Sequence, residues 1–116
     1  MKSEHLFSEA SLENAELRAS STPEIIETWR NFSRSVFKKG ALDEKTKQLI
    51  AVAVSHVTQC PYCIHSHTAQ AMKKGASKEE IMEAIWIAAE MRAGAAYSYS
   101  ALAMDEIMAV EKAQKG

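Results

Sequence analysis

Breakers are scarce in this chain. Proline occurs twice and glycine four times in 116 residues. Folds with many tight turns draw on both residue types at their corners. A many-turned all-β protein, a collagen-like chain and a low-complexity linker are therefore excluded. An excess of charge is also missing, since 14 Lys and Arg face 15 Asp and Glu, a formal net charge of −1. That balance suits neither a strongly basic nucleic-acid binder nor an acidic disordered tail. Long apolar runs are absent too. The stretch from Leu49 to Val54 falls far short of the roughly 20 residues of a membrane-spanning helix. Glu4, His5, Glu9, Glu13 and Glu16 interrupt the N-terminus, where a secretory signal would be apolar. These absences predict a cytoplasmic protein with no membrane or nucleic-acid partner. Cysteine occurs only as Cys60 and Cys63. In a reducing compartment, such a pair more often does redox chemistry or binds metal than forms a permanent bridge.

What is present is helix-forming sequence from end to end. Alanine is abundant, and Leu, Lys, Glu, Gln and Met fill much of the rest. No segment alternates apolar and polar residues long enough to predict a strand. The pattern predicts a single all-α domain, a compact bundle of about six helices. The first, near residues 4–18, belongs to an N-terminal helical arm over 1–20, and the main helical domain covers 21–112. The second helix runs from Pro23 to about Lys39, with Ser21 and Glu24 at capping-box spacing. The third runs from about Asp43 to Val57, with a core stripe of Leu49, Val52, Ala53, His56 and Val57. The fourth begins near Pro61 and ends before Gly75. The fifth begins after Ser77, with Glu80 again at capping-box spacing, and reaches about Ala93. The sixth covers about Ala95 to Lys112, with Tyr97, Ala101, Met104 and Met108 on one stripe. Gly40, Gly75 and Gly94 each follow a helical pattern, where a left-handed C-cap is expected. Arg92 reads as a structural helix-end residue, and Lys45 and Lys47 read as a solvated face.

The chemistry concentrates in residues 60–68, Cys-Pro-Tyr-Cys-Ile-His-Ser-His-Thr. Pro61 suits a first helical position, which places Cys60 at or near the N-cap and Cys63 in the first turn. Backbone N–H groups and the positive end of the helix dipole favour a thiolate there. His67 lies four residues after Cys63 and seven after Cys60, so all three fall on one helical face. His65 points away from it. This set suits a redox dithiol with His67 as acid/base. The helix terminus favours Cys60 as the attacking sulfur, whereas the pairing with His67 favours Cys63. Cys60, Cys63 and His67 are also permissible zinc ligands, with His56 able to supply a fourth. His56 otherwise reads as a hydrogen-bonded core or interface histidine, or as a neighbour of the thiols.

The run from Leu42 to about Ala103 resembles the carboxymuconolactone decarboxylase family, in particular its alkyl hydroperoxidase D-like branch. The resemblance rests on Lys45 to Val54, on Cys60-Pro-Tyr-Cys63-Ile-His-Ser-His67-Thr, on Gly75 to Ile81 and on Met91-Arg92-Ala93-Gly94. It implies an all-α fold, trimers or hexamers, and dithiol peroxidase or disulfide reductase chemistry with Cys60, Cys63 and His67 as the catalytic residues. Two positions depart from the pattern. Gln48 stands where the peroxidase pattern places a glutamate, twelve residues before the first cysteine. Tyr62 precedes the second cysteine, where some members carry histidine. Glutamine can orient a histidine but cannot stabilise an imidazolium by charge.

Together these features predict a thiol-dependent antioxidant oxidoreductase, a peroxidase or disulfide reductase slowed by Gln48. Its substrate would be a hydroperoxide or a disulfide, and a thiol reductant would restore it. A Cys60–Cys63 disulfide would carry the redox couple without an organic cofactor or a metal. Small size and broad apolar helix faces also predict a homo-oligomer. A decarboxylase-like lyase is a rival reading, although such a reaction does not call for a cysteine pair. A thiol sensor or oligomeric scaffold, forming its disulfide without turnover, is the other.

Overall fold

A computed structural model describes residues 11–116. The described residues form two compact units, divided between Glu44 and Lys45. The described residues fold into five α-helices and no strand. The all-α expectation holds.

The first unit holds α1 (Leu12–Ser21) and α2 (Pro23–Phe37). The expected helix over 4–18 lies partly outside the described residues, and α1 ends at Ser21. Ser11 caps α1, its hydroxyl accepting from the Asn14 N–H at 3.1 Å. The Ser21–Glu24 capping box does not form. Ser21 finishes α1 instead, and its hydroxyl donates to the Leu17 carbonyl at 2.7 Å. Only Thr22 separates the two helices, so Thr22 becomes the N-cap of α2, and its side chain makes no capping bond. Pro23 takes the first helical position, as its missing N–H and fixed φ favour. At the other end α2 leaves through an extended Lys38, two residues before Gly40. Gly40 is thus not a left-handed cap.

The second unit is built on α3 (Glu44–Thr58), α4 (Pro61–Lys73) and α5 (Lys78–Lys115). Val52, Ala71, Ala76 and Ile81 form its buried core, with Leu49 and Ile85 packed against them. Val52 is completely buried. The buried stripe of α3 is Gln48, Val52 and Ser55, whereas Val57 is exposed. Of the expected stripe of Leu49, Val52, Ala53, His56 and Val57, Val52 is buried and Leu49 packs on the core, Ala53 and His56 are half-buried, and Val57 is exposed, so the buried face is rotated toward Gln48 and Ser55. Two polar side chains go inside because each has a partner there: Gln48 bonds to His67, and the Ser55 hydroxyl donates to the Val52 carbonyl at 2.8 Å.

Gly75 closes α4 in the left-handed region, at φ +95°. The Gly75 N–H reaches the Met72 carbonyl at 3.0 Å and the Ala76 N–H reaches the Ala71 carbonyl at 2.9 Å. This is the Schellman arrangement that glycine permits. A Cβ at Gly75 would meet nothing within 4 Å, so the constraint is conformational rather than spatial. The predicted capping box at α5 is complete: the Glu80 N–H donates to Ser77 Oγ at 3.0 Å, and the Ser77 N–H donates to Glu80 Oε1 at 2.8 Å. The other Glu80 oxygen meets Lys45 Nζ at 2.8 Å. Lys45 is thus not merely solvated. It ties the first turn of α3 to the start of α5, and its hydrogen bond to Glu80 is the main cause holding that carboxyl below its ordinary range.

The expected fifth and sixth helices are one helix of 38 residues. Gly94 lies within it. An interior glycine costs about 1 kcal/mol relative to alanine. Breaking the helix would leave four N–H and four C=O groups without intrahelical partners. Ala93, Ala95 and Ala96 beside Gly94 are strong helix formers, no proline follows, and continuity wins.

Candidate active site at the start of α4

The site is assembled where α3 hands the chain to α4. The α3 C-terminus turns through Gln59, which adopts a left-handed φ of 58° without being glycine. That turn lets the Cys60 N–H return to the Ser55 carbonyl at 3.1 Å. Arg92, from the interior of α5, donates to the Val57 carbonyl at 2.8 Å and so ties down the same helix end. Its role is structural, as expected, but it acts from mid-helix on a neighbouring helix. The Gln59 turn and this tether support the site, and sequence reading assigned neither. Nothing in the local sequence marks them, since a left-handed cap is usually signalled by Gly or Asn.

Cys60 is the N-cap of α4 in extended conformation, and Pro61 takes the first helical position. The Cys63 N–H donates to Cys60 Sγ at 3.2 Å. The two cysteines are joined as a disulfide, with Cα atoms 5.3 Å apart. Both are half-buried, while Tyr62 between them is exposed. The pair thus sits at the positive end of a helix, within reach of solvent.

His67 is half-buried one turn beyond Cys63. Its Nδ1 lies 2.8 Å from Oε1 of the buried Gln48. The oxygen is an acceptor, so Nδ1 carries the hydrogen and the Nε2 lone pair is left as the basic position. Burial pushes the His67 pKa below 6.5, favouring the neutral ring. A buried glutamine is costly unless satisfied, and this contact satisfies its oxygen while fixing the imidazole tautomer.

His56 is placed differently. Its Nδ1–H donates to the Val52 carbonyl of its own helix at 2.7 Å. His65 is exposed, as expected. The zinc set of Cys60, Cys63, His67 and His56 is not assembled: among the described residues no group of three or more His, Cys, Asp or Glu could hold a metal ion. Among the same residues no helix is long and apolar enough to cross a membrane.

The sequence profile of the carboxymuconolactone decarboxylase family matches residues 23–106. The chain belongs to the carboxymuconolactone decarboxylase family. It is 65% identical over 78 residues to uncharacterized protein 4 in the cox locus of Paracoccus denitrificans, covering 65% of this chain and 70% of that one. It is 38% identical over 91 residues to an uncharacterized protein of Haemophilus influenzae, covering 78% and 80%. Among solved structures, a carboxymuconolactone decarboxylase family protein from Legionella pneumophila superposes with a TM-score of 0.67 at 34% identity, covering 77% of this chain and 80% of that one. A family member from Thermotoga maritima, for which involvement in an antioxidative response has been suggested, gives a TM-score of 0.52 at 30% identity, covering 70% and 93%. The resemblance read from residues 42–103 is thereby shown, and the family's match extends to Pro23 and so includes α2.

Proposed function

We propose that this member of the family is a thiol-dependent antioxidant oxidoreductase, a peroxidase or disulfide reductase working through Cys60 and Cys63. The observation that carries the reading is the disulfide at the N-cap of α4. It joins two cysteines in a position that stabilises a thiolate once the bond is reduced. His67, held as the Nδ1–H tautomer by Gln48, is the acid/base. Gln48 replaces a charge with a dipole, so proton transfer is slower than a carboxylate would allow. Neither an organic cofactor nor a metal enters the scheme. A decarboxylase-like lyase would leave the cysteine pair without a purpose, and no observed contact favours it.

The working form is a homo-oligomer, a trimer or hexamer by family resemblance. Support comes from α5, in which no residue beyond Ala88 is buried. Trp86, Ile87, Met91, Tyr97, Leu102 and Met104 are all exposed along it. A helix without a packed face is marginal in water, and a second copy of the chain would supply that face. The natural oxidant is a hydroperoxide or a disulfide, and the natural reductant is a thiol in the cytoplasm.

The test is stoichiometric. Fully reduced protein is mixed with one equivalent of hydrogen peroxide, and free thiols are counted. Loss of two thiols per chain, with an intramolecular Cys60–Cys63 disulfide found by peptide mapping, is expected. Retention of both thiols would refute peroxide as the oxidant. Failure of a small disulfide oxidant to close the bond as well would refute the dithiol reading.

A further inference from the structure

We propose that α2 is an interface between copies of this chain: its exposed apolar stripe packs antiparallel against the same stripe of a second copy. The inference deepens the homo-oligomer reading above on a helix that reading does not use, and it is independent of the cysteine chemistry.

Four side chains carry it. Ile25, Trp29, Phe32 and Val36 recur at intervals of four, three and four residues, the spacing of a seam between two helices. All four are exposed, and no residue of α2 is buried. Trp29 and Phe32 stand side by side at the middle of the stripe, with ring centroids 5.8 Å apart. Another side of α2 is already engaged. Ile26, Ser33 and Phe37 are half-buried, and Ile26, Arg30 and Arg34 line the groove that α2 forms with α1. The first helix therefore covers one side of α2 and leaves the stripe open.

The stripe is complementary to itself when turned end for end. A two-fold axis between Trp29 and Phe32 sets Trp29 of each copy against Phe32 of the other, and Ile25 against Val36. The charges select this direction. Glu24 stands beside Ile25 at one end of the stripe, and Lys38 and Lys39 follow Val36 at the other. All three are exposed. Antiparallel packing brings Glu24 of each copy to the lysines of the other, and it sets the two helix dipoles in opposition, which is favourable. Parallel packing would bring like charges together at both ends. The antiparallel contact uses the same patch on both copies, so it joins them in pairs.

A lipid surface fits the stripe less well. An interfacial helix offers Lys and Arg to anionic headgroups, whereas here Glu24 lies next to the stripe and Arg30 and Arg34 turn to the α1 groove. The contact is also small. Four side chains per copy are few beside the roughly 20–30 residues a side of a standard interface. The α2 pair therefore adds to the association through α5 and does not act alone. A trimer built through α5 becomes a hexamer when α2 pairs.

The test is molar mass by light scattering at micromolar protein. The wild type is expected to contain an even number of copies, six, and Trp29→Glu is expected to halve that mass. Central aromatic anchors of this kind carry enough of an interface for their loss to weaken pairing at least about thirtyfold. Trp29 is exposed, so its replacement opens no cavity in the core. Two charge variants make the test independent of that substitution. Glu24→Lys, and Lys38→Glu with Lys39→Glu, should each shift the mass downward by setting like charges together. Mixing the two in equal amounts should restore the wild-type mass. A wild-type trimer overturns the proposal and leaves the α5 association standing, whereas a wild-type monomer overturns both. An unchanged mass in Trp29→Glu means that something other than a second copy covers the stripe, and it overturns the proposal. Charge variants that pair as the wild type does overturn the antiparallel arrangement. Binding to phosphatidylserine vesicles that Trp29→Glu abolishes, with no change of mass in solution, would assign the stripe to a membrane and overturn the proposal as well.

Discussion

A carboxylate beside a histidine orients the ring and stabilises its protonated form, whereas Gln48 does only the first. Its oxygen holds the His67 Nδ1–H at 2.8 Å, and burial depresses the His67 pKa below 6.5. Two outcomes follow at the residue scale. In turnover, His67 stays neutral and competent at pH 7, and the acid limb of the pH–rate profile lies below about 6.5. Gln48→Glu restores the charge, moves that limb to higher pH and raises the plateau rate about tenfold. A pH–rate profile that does not move in the variant would separate Gln48 from His67. In stability, the unfolded chain takes up the imidazole proton at a higher pH than the folded chain does. Folding stability is therefore fully present above about pH 6.5 and declines as pH falls through the depressed folded value. Urea midpoints measured from neutral pH downward should fall in the wild type and fall less in His67→Gln.

At the scale of elements, the long α5 is the feature that local sequence misreads. Gly94 follows a helical pattern as Gly75 does, yet only Gly75 has positive φ. The difference lies in what comes next. After Gly75, Ala76 is drawn into the core and Ser77 starts a new capped helix. After Gly94 the sequence runs on through Ala95 and Ala96 with no N-cap, so nothing nucleates a second helix. Gly94→Ala should accordingly stabilise the protein, by up to about 1 kcal/mol. The new Cβ meets nothing nearer than a Glu90 carboxylate oxygen at 3.6 Å, an ordinary contact. A rise in thermal midpoint checks this, and a marked fall would mean that Gly94 is a true helix end or a close-packing point. The cysteine segment is the most legible part of the chain. Pro61 and the Cys-x2-Cys-x3-His spacing locate the N-cap and the disulfide correctly because these are local constraints. The rotated stripe of α3 is not legible, because Gln48 and Ser55 are buried only by virtue of partners that hydrophobicity does not encode. The Gln59 turn and the Arg92 tether depend likewise on contacts made after folding.

The whole molecule presents more apolar surface than its small core absorbs. Only Val52, Ala71, Ala76, Ile81 and Ala88 are buried apolar residues among those described. Trp86 and Tyr97, at 68% and 80% exposure, are large aromatic side chains left open. Large exposed apolar side chains of this kind suit an interaction surface, and association between copies of the chain would cover them. Sedimentation at micromolar protein should show a trimer or hexamer, and Tyr97→Glu should shift the protein toward smaller species. A wild-type monomer at that concentration would contradict the proposed role of α5. The proposed function stands or falls on turnover at Cys60 and Cys63. Peroxide consumption by metal-free protein decides it, with a dithiol reductant in excess and Cys60→Ser and Cys63→Ser run alongside. Many turnovers are predicted in the wild type and none in either variant. Full turnover in both variants would contradict the dithiol mechanism, and a single disulfide per chain without turnover would contradict the peroxidase reading.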